Sequence, residues 1–281
     1  MTQNIHVDRD LQNNSKQGGG SRNSRSQAPP AAWTTIKQSM SYITVSGIES
    51  DTSWPVYDWP KQSSKELIGN AYDFLRDFYP DGTKEKRKIA VSVKIDSILD
   101  GDSLADDDNK KRTVIHIAVR NSNTDRFLVF ENLEAIFDYT QFHSTKRNQH
   151  REVSGALGDY LKRGLGMGYA LWTNDYDREM LTANSKQWPE PIILRYNGQE
   201  HRVFLDVDWD NQLYGPKFEA PTKCNALEYT EVVVTLPIDY ILKIDSNHSI
   251  DWILSQICGY FNRNKIGNTD TDFSFSSEGS Y

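Results

Sequence analysis

Ser64-Lys65-Glu66-Leu67-Ile68-Gly69-Asn70-Ala71-Tyr72-Asp73-Phe74-Leu75 reads as one helix with two chemically different faces. At 100° per residue Asn70, Asp73 and Asp77 fall within about 40° of Glu66, while Leu67, Ala71, Phe74, Leu75 and Phe78 cluster roughly a third of a turn away. One face packs and the other carries carboxylates and an amide. A carboxylate one turn before a carboxamide suits paired work, the first polarising an attacking water and the second holding a hydrated Mg²⁺ through its side-chain oxygen. The same residues also fit an ordinary amphipathic helix with a solvated polar stripe, and on these residues alone both readings stand.

A second element lies about 80 residues further on: Ser144-Thr145-Lys146-Arg147, then Ser154-Gly155-Ala156-Leu157-Gly158-Asp159-Tyr160-Leu161-Lys162. Ser154 is a good N-cap for a helix that buries Leu157, Leu161 and Leu165 at four-residue spacing. The first turn of such a helix has unpaired N–H groups and a partial positive charge, and Gly155 and Gly158 leave its backbone open to a close anion. Lys146 and Lys162 are placed to neutralise further phosphate charge. A glycine-containing loop and helix without a ligand is the plain alternative.

Taken together and in this order, the elements resemble the GHKL ATPase family, the gyrase, histidine-kinase and mismatch-repair ATP-binding fold, and within it the ATPase domain of topoisomerase VI B-like proteins. The resemblance runs from about Ile43 to Phe275. Ile43-Thr44-Val45-Ser46-Gly47-Ile48-Glu49 with Trp59-Pro60 is similar to the family's lead-in, and Lys65 to Asp73 to its N-box. His143-Ser144-Thr145-Lys146-Arg147 resembles the entry to an ATP lid, and Gly155 to Lys162 the second glycine box. Thr230 to Pro237 and Tyr260-Phe261-Asn262 resemble the closing strand and the segment after it.

The resemblance implies Mg²⁺-dependent binding and slow hydrolysis of ATP. Glu66 would be the general base, Asn70 the Mg²⁺ ligand, Asn121 the acceptor for the adenine amine, and Gly155 to Gly158 with Lys146 and Lys162 the phosphate cradle. Asp73, Asn123, Ser144, Thr145, Ser154, Ala156 and Leu157 would complete the nucleotide site. In the family ATP closes a dimer that acts on DNA or on a protein partner, so a homodimer within a larger assembly is implied. Two positions depart from the pattern. Gly69 stands where an Asp usually precedes the Asn. The adenine motif is replaced by Val119-Arg120-Asn121-Ser122-Asn123, with Glu131-Asn132-Leu133 as a competing alignment. An Asn oxygen accepts the amine's hydrogen bond less strongly than a carboxylate.

Composition bounds the alternatives. With 281 residues, 37% of them hydrophobic, and seven Trp, the chain is long enough for one sizeable core. No apolar run approaches a membrane span, and the polar start is no signal peptide. Cys224 and Cys258 give neither a disulfide framework nor zinc spacing, so a cytoplasmic setting is expected. A net charge of −7 argues against a main DNA-gripping surface, although Lys146, Arg147 and Arg151 form a local basic patch.

Residues 1–32, rich in Asn, Ser, Gln and Gly, read as a disordered tail, and 33–281 as the folded domain. The stretch to Ser63 or Ser64, broken by two X-Pro pairs, reads as extended or loop-like, with one of those serines as helix N-cap. Lys88–Ile95 and Thr113–Val119 alternate in period two and predict adjacent antiparallel strands, joined by an acidic loop through Asp106-Asp107-Asp108. Residues 140–154 suit a mobile lid. Gly164, Gly166 and Gly168 follow a helix rather than a strand, which removes a dinucleotide reading. Strands are expected at Ile192–Tyr196, His201–Asp208 and Thr230–Leu236, then a helix over Ser249–Phe261. Asp206, Asp208 and Asp210 are expected on one exposed sheet face, with metal binding as the alternative. Hairpins between helices predict an α+β fold: a two-layer α/β sandwich with a mixed, mostly antiparallel sheet and helices on one face. The resemblance implies the same, in its Bergerat-type form.

Overall fold

A computed structural model describes residues 38–79, 84–99, 111–122, 166–168, 170–172, 190–208, 210–244, 247–267 and 270–279, all within the unit Thr34–Tyr281. The segment before the central helix is largely helical, where the sequence reads as extended or loop-like. Met40–Ile43 form a 3₁₀ turn, and α1 (Val45–Thr52) follows, capped by the Thr44 hydroxyl, which accepts from the Gly47 amide at 3.0 Å. The central helix α2 (Trp59–Phe78) starts four residues earlier than Ser63. Pro60 occupies its first turn, where a missing N–H costs nothing and a fixed φ favours the helix, so Trp59-Pro60 opens the helix instead of breaking the chain. Ser63 and Ser64 are consequently buried inside it, and the Ser64 hydroxyl donates to the Pro60 carbonyl at 2.9 Å.

Among the described residues nine strands make one sheet: β1 (Gln38–Ser39), β2 (Lys88–Leu99), β3 (Lys111–Ser122), β4 (Ile192–Tyr196), β5 (Gln199–Asp208), β6 (Leu213–Phe218), β7 (Thr222–Lys223), β8 (Tyr229–Pro237) and β9 (Asp272–Gly279). Their order is β1-β6-β5-β4-β8-β3-β2-β9, with β7 beside β5. Among the described strands only β9 runs parallel to its neighbour, β2. The fold is therefore mixed α/β with a largely antiparallel sheet. Asn197-Gly198, both at positive φ (50° and 71°), turn β4 into β5, the geometry that suits a two-residue hairpin. Asp210 lies in the turn beyond β5, so the three aspartates do not share a strand face. Asp208 instead holds that turn, accepting from the Asn211 amide at 3.1 Å.

Period-two alternation decides which face is covered. Ile89, Val91, Val93 and Ile95 of β2, Ile115, Ile117 and Val119 of β3, and Val234 and Leu236 of β8 are buried. α2 packs against β2 and β3. Two further helices follow β8: α3 (Asp239–Ile244) and α4 (Ile250–Gly267). α4 packs on α2 and β9, and Phe273 of β9 meets Phe261 edge-on at 6.0 Å and lies stacked on Tyr72 of α2 at 6.4 Å. Residues 166–168 and 170–172 are helical and lie on β8. A Cβ on Gly168 would come within 3.2 Å of Val234, and the Trp172 indole donates to the Thr235 carbonyl at 3.1 Å.

The opposite face closes on its own charges. Arg120 of β3 pairs with Glu231 of β8 at 2.9 Å, Glu231 with Arg195 of β4, and Arg195 with Glu200 of β5 at 2.7 Å. Arg120 also lies over the Tyr229 ring, 3.9 Å from its centre.

Arg87 holds the C-terminal end of α2. It is 4% exposed, donates twice to the Tyr79 carbonyl past the helix end, and pairs with Asp270 just before β9. Its own carbonyl accepts from the Asp272 amide at 2.8 Å. One side chain thus ties α2, β2 and β9 together. Arg87→Ala leaves an orphaned carbonyl and is expected to lower stability by roughly 2–3 kcal/mol. Urea denaturation should show a reduced midpoint at unchanged slope, and a loss under about 0.5 kcal/mol would show that the clasp carries no weight.

Candidate functional site

α2 is buried around most of its circumference, and its polar stripe is buried with it. Glu66 is 4% exposed and Asp73 2%. That removes the solvated-stripe reading, since an exposed face would leave both carboxylates in water. Asn70, half-buried between them in sequence, donates through Nδ2 to the Glu66 carbonyl at 2.7 Å. Its NH₂ group is thereby turned to the helix backbone. Gly69 is buried as well. An added side chain there would have to be accommodated beneath the stripe.

β3 supplies the second half of the site. Ile115, Ile117 and Val119 face the α2 layer, and period two carries Asn121 onto the same face, 6% exposed. Ser122 fixes the strand end by donating to the Lys86 carbonyl at 2.6 Å and accepting from the Lys88 amide at 3.1 Å. Directly across the ladder from Asn121 stands Thr230 of β8, also 6% exposed. Both carry a shielded polar atom that has no hydrogen-bond partner among the described residues, Nδ2 of Asn121 and Oγ1 of Thr230. Cross-strand partners on one face have Cβ atoms about 5 Å apart, so the two form one polar spot in an otherwise apolar wall. The sequence reading asks Asn121 for an acceptor. The unfilled position here is its NH₂ group, and a half-turn of the amide exchanges the two.

Asn123, Ser144, Thr145, Lys146, Ser154, Gly155, Ala156, Leu157, Gly158 and Lys162 lie outside the described residues, as do the lid and Glu131. Glu66, Asn70, Asp73 and Asn121 are therefore the expected site residues that the structure positions, on two elements packed against each other. Thr230 is the residue that sequence reasoning missed, and no local pattern announces its pairing. Among the described residues no group of three or more His, Cys, Asp or Glu side chains is placed to hold a metal ion.

A rival lies on the other face of the sheet. There a groove of about 280 Å³ is lined by small residues, Ala90, Ser92, Ala118, Ser274 and Ser276, with Arg120 and Glu231 at its side. Nearby, His116 Nδ1 lies 2.9 Å from the Thr235 hydroxyl, and burial holds this imidazole below its ordinary range. Burial likewise pushes the Glu190 carboxyl up. We favour the α2 side on a physical ground. In the groove the charged groups already satisfy each other, whereas the Asn121–Thr230 spot holds polar atoms whose desolvation nothing described offsets.

The chain matches no known protein-family model and no curated protein.

If Thr230 Oγ1 is unpartnered, replacing it with a methyl should remove a penalty. Thr230→Val is expected to raise the stability of the ligand-free chain by about 1 kcal/mol in chemical denaturation. A loss of that size would mean that the hydroxyl is hydrogen-bonded and the spot is structural.

Proposed function

We propose that this chain is a GHKL-type nucleotide-binding protein of Bergerat-type, two-layer architecture that binds ATP with Mg²⁺ and hydrolyses it slowly. The observation that carries the reading is the pair of buried polar atoms on Asn121 and Thr230, facing the layer in which α2 buries Glu66 and Asp73 and half-buries Asn70. Polar groups kept dry without partners are costly, and a binding site is where such a cost is offset by the ligand. A purine edge offers alternating donors and acceptors, which an amide and a hydroxyl side by side can match.

In this reading the base lies against Asn121 and Thr230, and the glycine segment 155–158, outside the described residues, would receive the phosphates. Asn70 Oδ1 would hold Mg²⁺, which neutralises phosphate charge when bound. One protein oxygen with phosphates and waters is an ordinary ligand set for this ion. Glu66, one turn earlier, takes the proton of the attacking water. ATP-driven closure of a dimer, within a DNA-associated or protein-directed assembly like that of topoisomerase VI B relatives, completes the proposal. A second reading, a nucleotide-gated interaction module without turnover, is favoured by Asn121 standing in place of the family's Asp. It needs the same residues except a working Glu66.

Glu66→Ala is expected to keep ATP affinity within about threefold and to lower kcat on the order of 100-fold or more, since a water activator acts in the transition state. Asn70→Ala should weaken ATP binding in the presence of Mg²⁺ and leave metal-free affinity nearly unchanged. Phosphate release and nucleotide titration with and without EDTA read both. Turnover unaffected by Glu66→Ala contradicts the hydrolytic assignment, and equal loss of affinity in both conditions contradicts Asn70 as the metal ligand.

A further inference from the structure

The buried stripe of α2 is longer than the residues used so far. At 100° per residue Gln62 lies about 40° to one side of Glu66 and Asn70 about 40° to the other, with Asp73 between them. Gln62 and Glu66 are i,i+4 neighbours, whose Cβ atoms are about 6 Å apart on a helix. Gln62 Oε1 is shielded from solvent and accepts no hydrogen bond among the described residues. The cations beside it in sequence are engaged elsewhere. Lys61 Nζ binds Asp58 at 2.8 Å, and Lys65 Nζ lies over the Trp54 ring, 5.4 Å from its centre. The Ser64 hydroxyl is turned to the Pro60 carbonyl.

We propose that Gln62 is a positioning residue that holds the water Glu66 activates, an assignment that rests on the hydrolytic reading above. An attacking water has two hydrogens to place. Its oxygen forms a bond to the γ-phosphorus while the β–γ bridging P–O bond breaks and that electron pair leaves on the ADP oxygen. One proton passes to the Glu66 carboxylate, giving ADP, inorganic phosphate and a protonated Glu66 that later releases its proton to solvent. The second hydrogen stays on the attacking oxygen and needs an acceptor if the water's lone pair is to point at phosphorus. A carboxamide oxygen serves this purpose because it accepts a hydrogen bond without competing for the proton. Gln62 presents such an oxygen one turn from the base.

The test uses the intact chain with ATP and Mg²⁺, comparing Gln62→Met, which keeps length without an acceptor, and Gln62→Glu, which keeps an acceptor oxygen. Gln62→Met is expected to lower kcat about tenfold or more with the ATP dissociation constant unchanged within about twofold, and Gln62→Glu to retain clearly more turnover than Gln62→Met. Unchanged kcat in Gln62→Met overturns the assignment, and so does a fall in affinity that matches the fall in kcat, the mark of a structural role. If the unaltered chain binds ATP without turnover, the water-holding role falls and nucleotide binding survives. If it binds no ATP, the reading beneath the assignment falls with it.

Discussion

The structure depends on keeping a helix with two carboxylates under cover. Glu66 and Asp73 are 4% and 2% exposed, and taking a carboxyl group out of water carries a cost that its partners and the surrounding packing must offset. Apolar contact on the rest of α2 supplies that packing. Trp59, Leu67, Ile68 and Leu75 are at most 2% exposed, and side chains of this kind stabilise by about 1.5–3 kcal/mol each on full burial, as an upper estimate. Arg87 adds directionality by fixing the helix end to β2 and to the approach to β9.

The two faces of the sheet solve different problems. One is apolar at every second position and receives α2, and the polar spot on it falls at the end of β3, where Asn121 takes the place that Ile115, Ile117 and Val119 occupy earlier. The other carries the alternating ladder Arg120, Glu231, Arg195 and Glu200 across four strands, so opposite charges meet directly on neighbouring strands. That arrangement lets Glu231 be 7% exposed without being isolated. It also explains why the small-residue groove beside it offers little to a ligand.

Much of the fold was legible in the sequence because burial on one side imposes a period. Lys88–Ile95, Thr113–Val119, Ile192–Tyr196 and Thr230–Leu236 lie within β2, β3, β4 and β8, and the last helix starts one residue from its expected place. What escaped was sequence that looks like punctuation. Trp59-Pro60 opens a helix, and Gly215-Pro216 sits inside β6, where Pro is tolerated because β1 pairs only with Leu213 and Tyr214. β9, Asp-Phe-Ser-Phe-Ser-Ser-Glu-Gly, is not among the expected strands, and its Phe273 and Phe275 pack on Phe261 of α4. The site divided in the same way. Glu66, Asn70 and Asp73 form a stripe that helical periodicity reveals. The meeting of Asn121 with Thr230 depends on a register between strands far apart in the chain, and no local pattern encodes it.

The central claim is that the buried polar groups of α2, β3 and β8 exist to receive a nucleotide, and a ligand-dependent thermal shift tests it most directly. Because a ligand of the folded state stabilises by RT ln(1 + [L]/Kd), ATP with Mg²⁺ at about 100 times Kd should add about 2.7 kcal/mol and raise the Tm by several degrees, increasing with the logarithm of ATP concentration. GTP and free inorganic phosphate should give a smaller rise at equal concentration. A Tm that stays fixed up to millimolar ATP and Mg²⁺ would contradict the account.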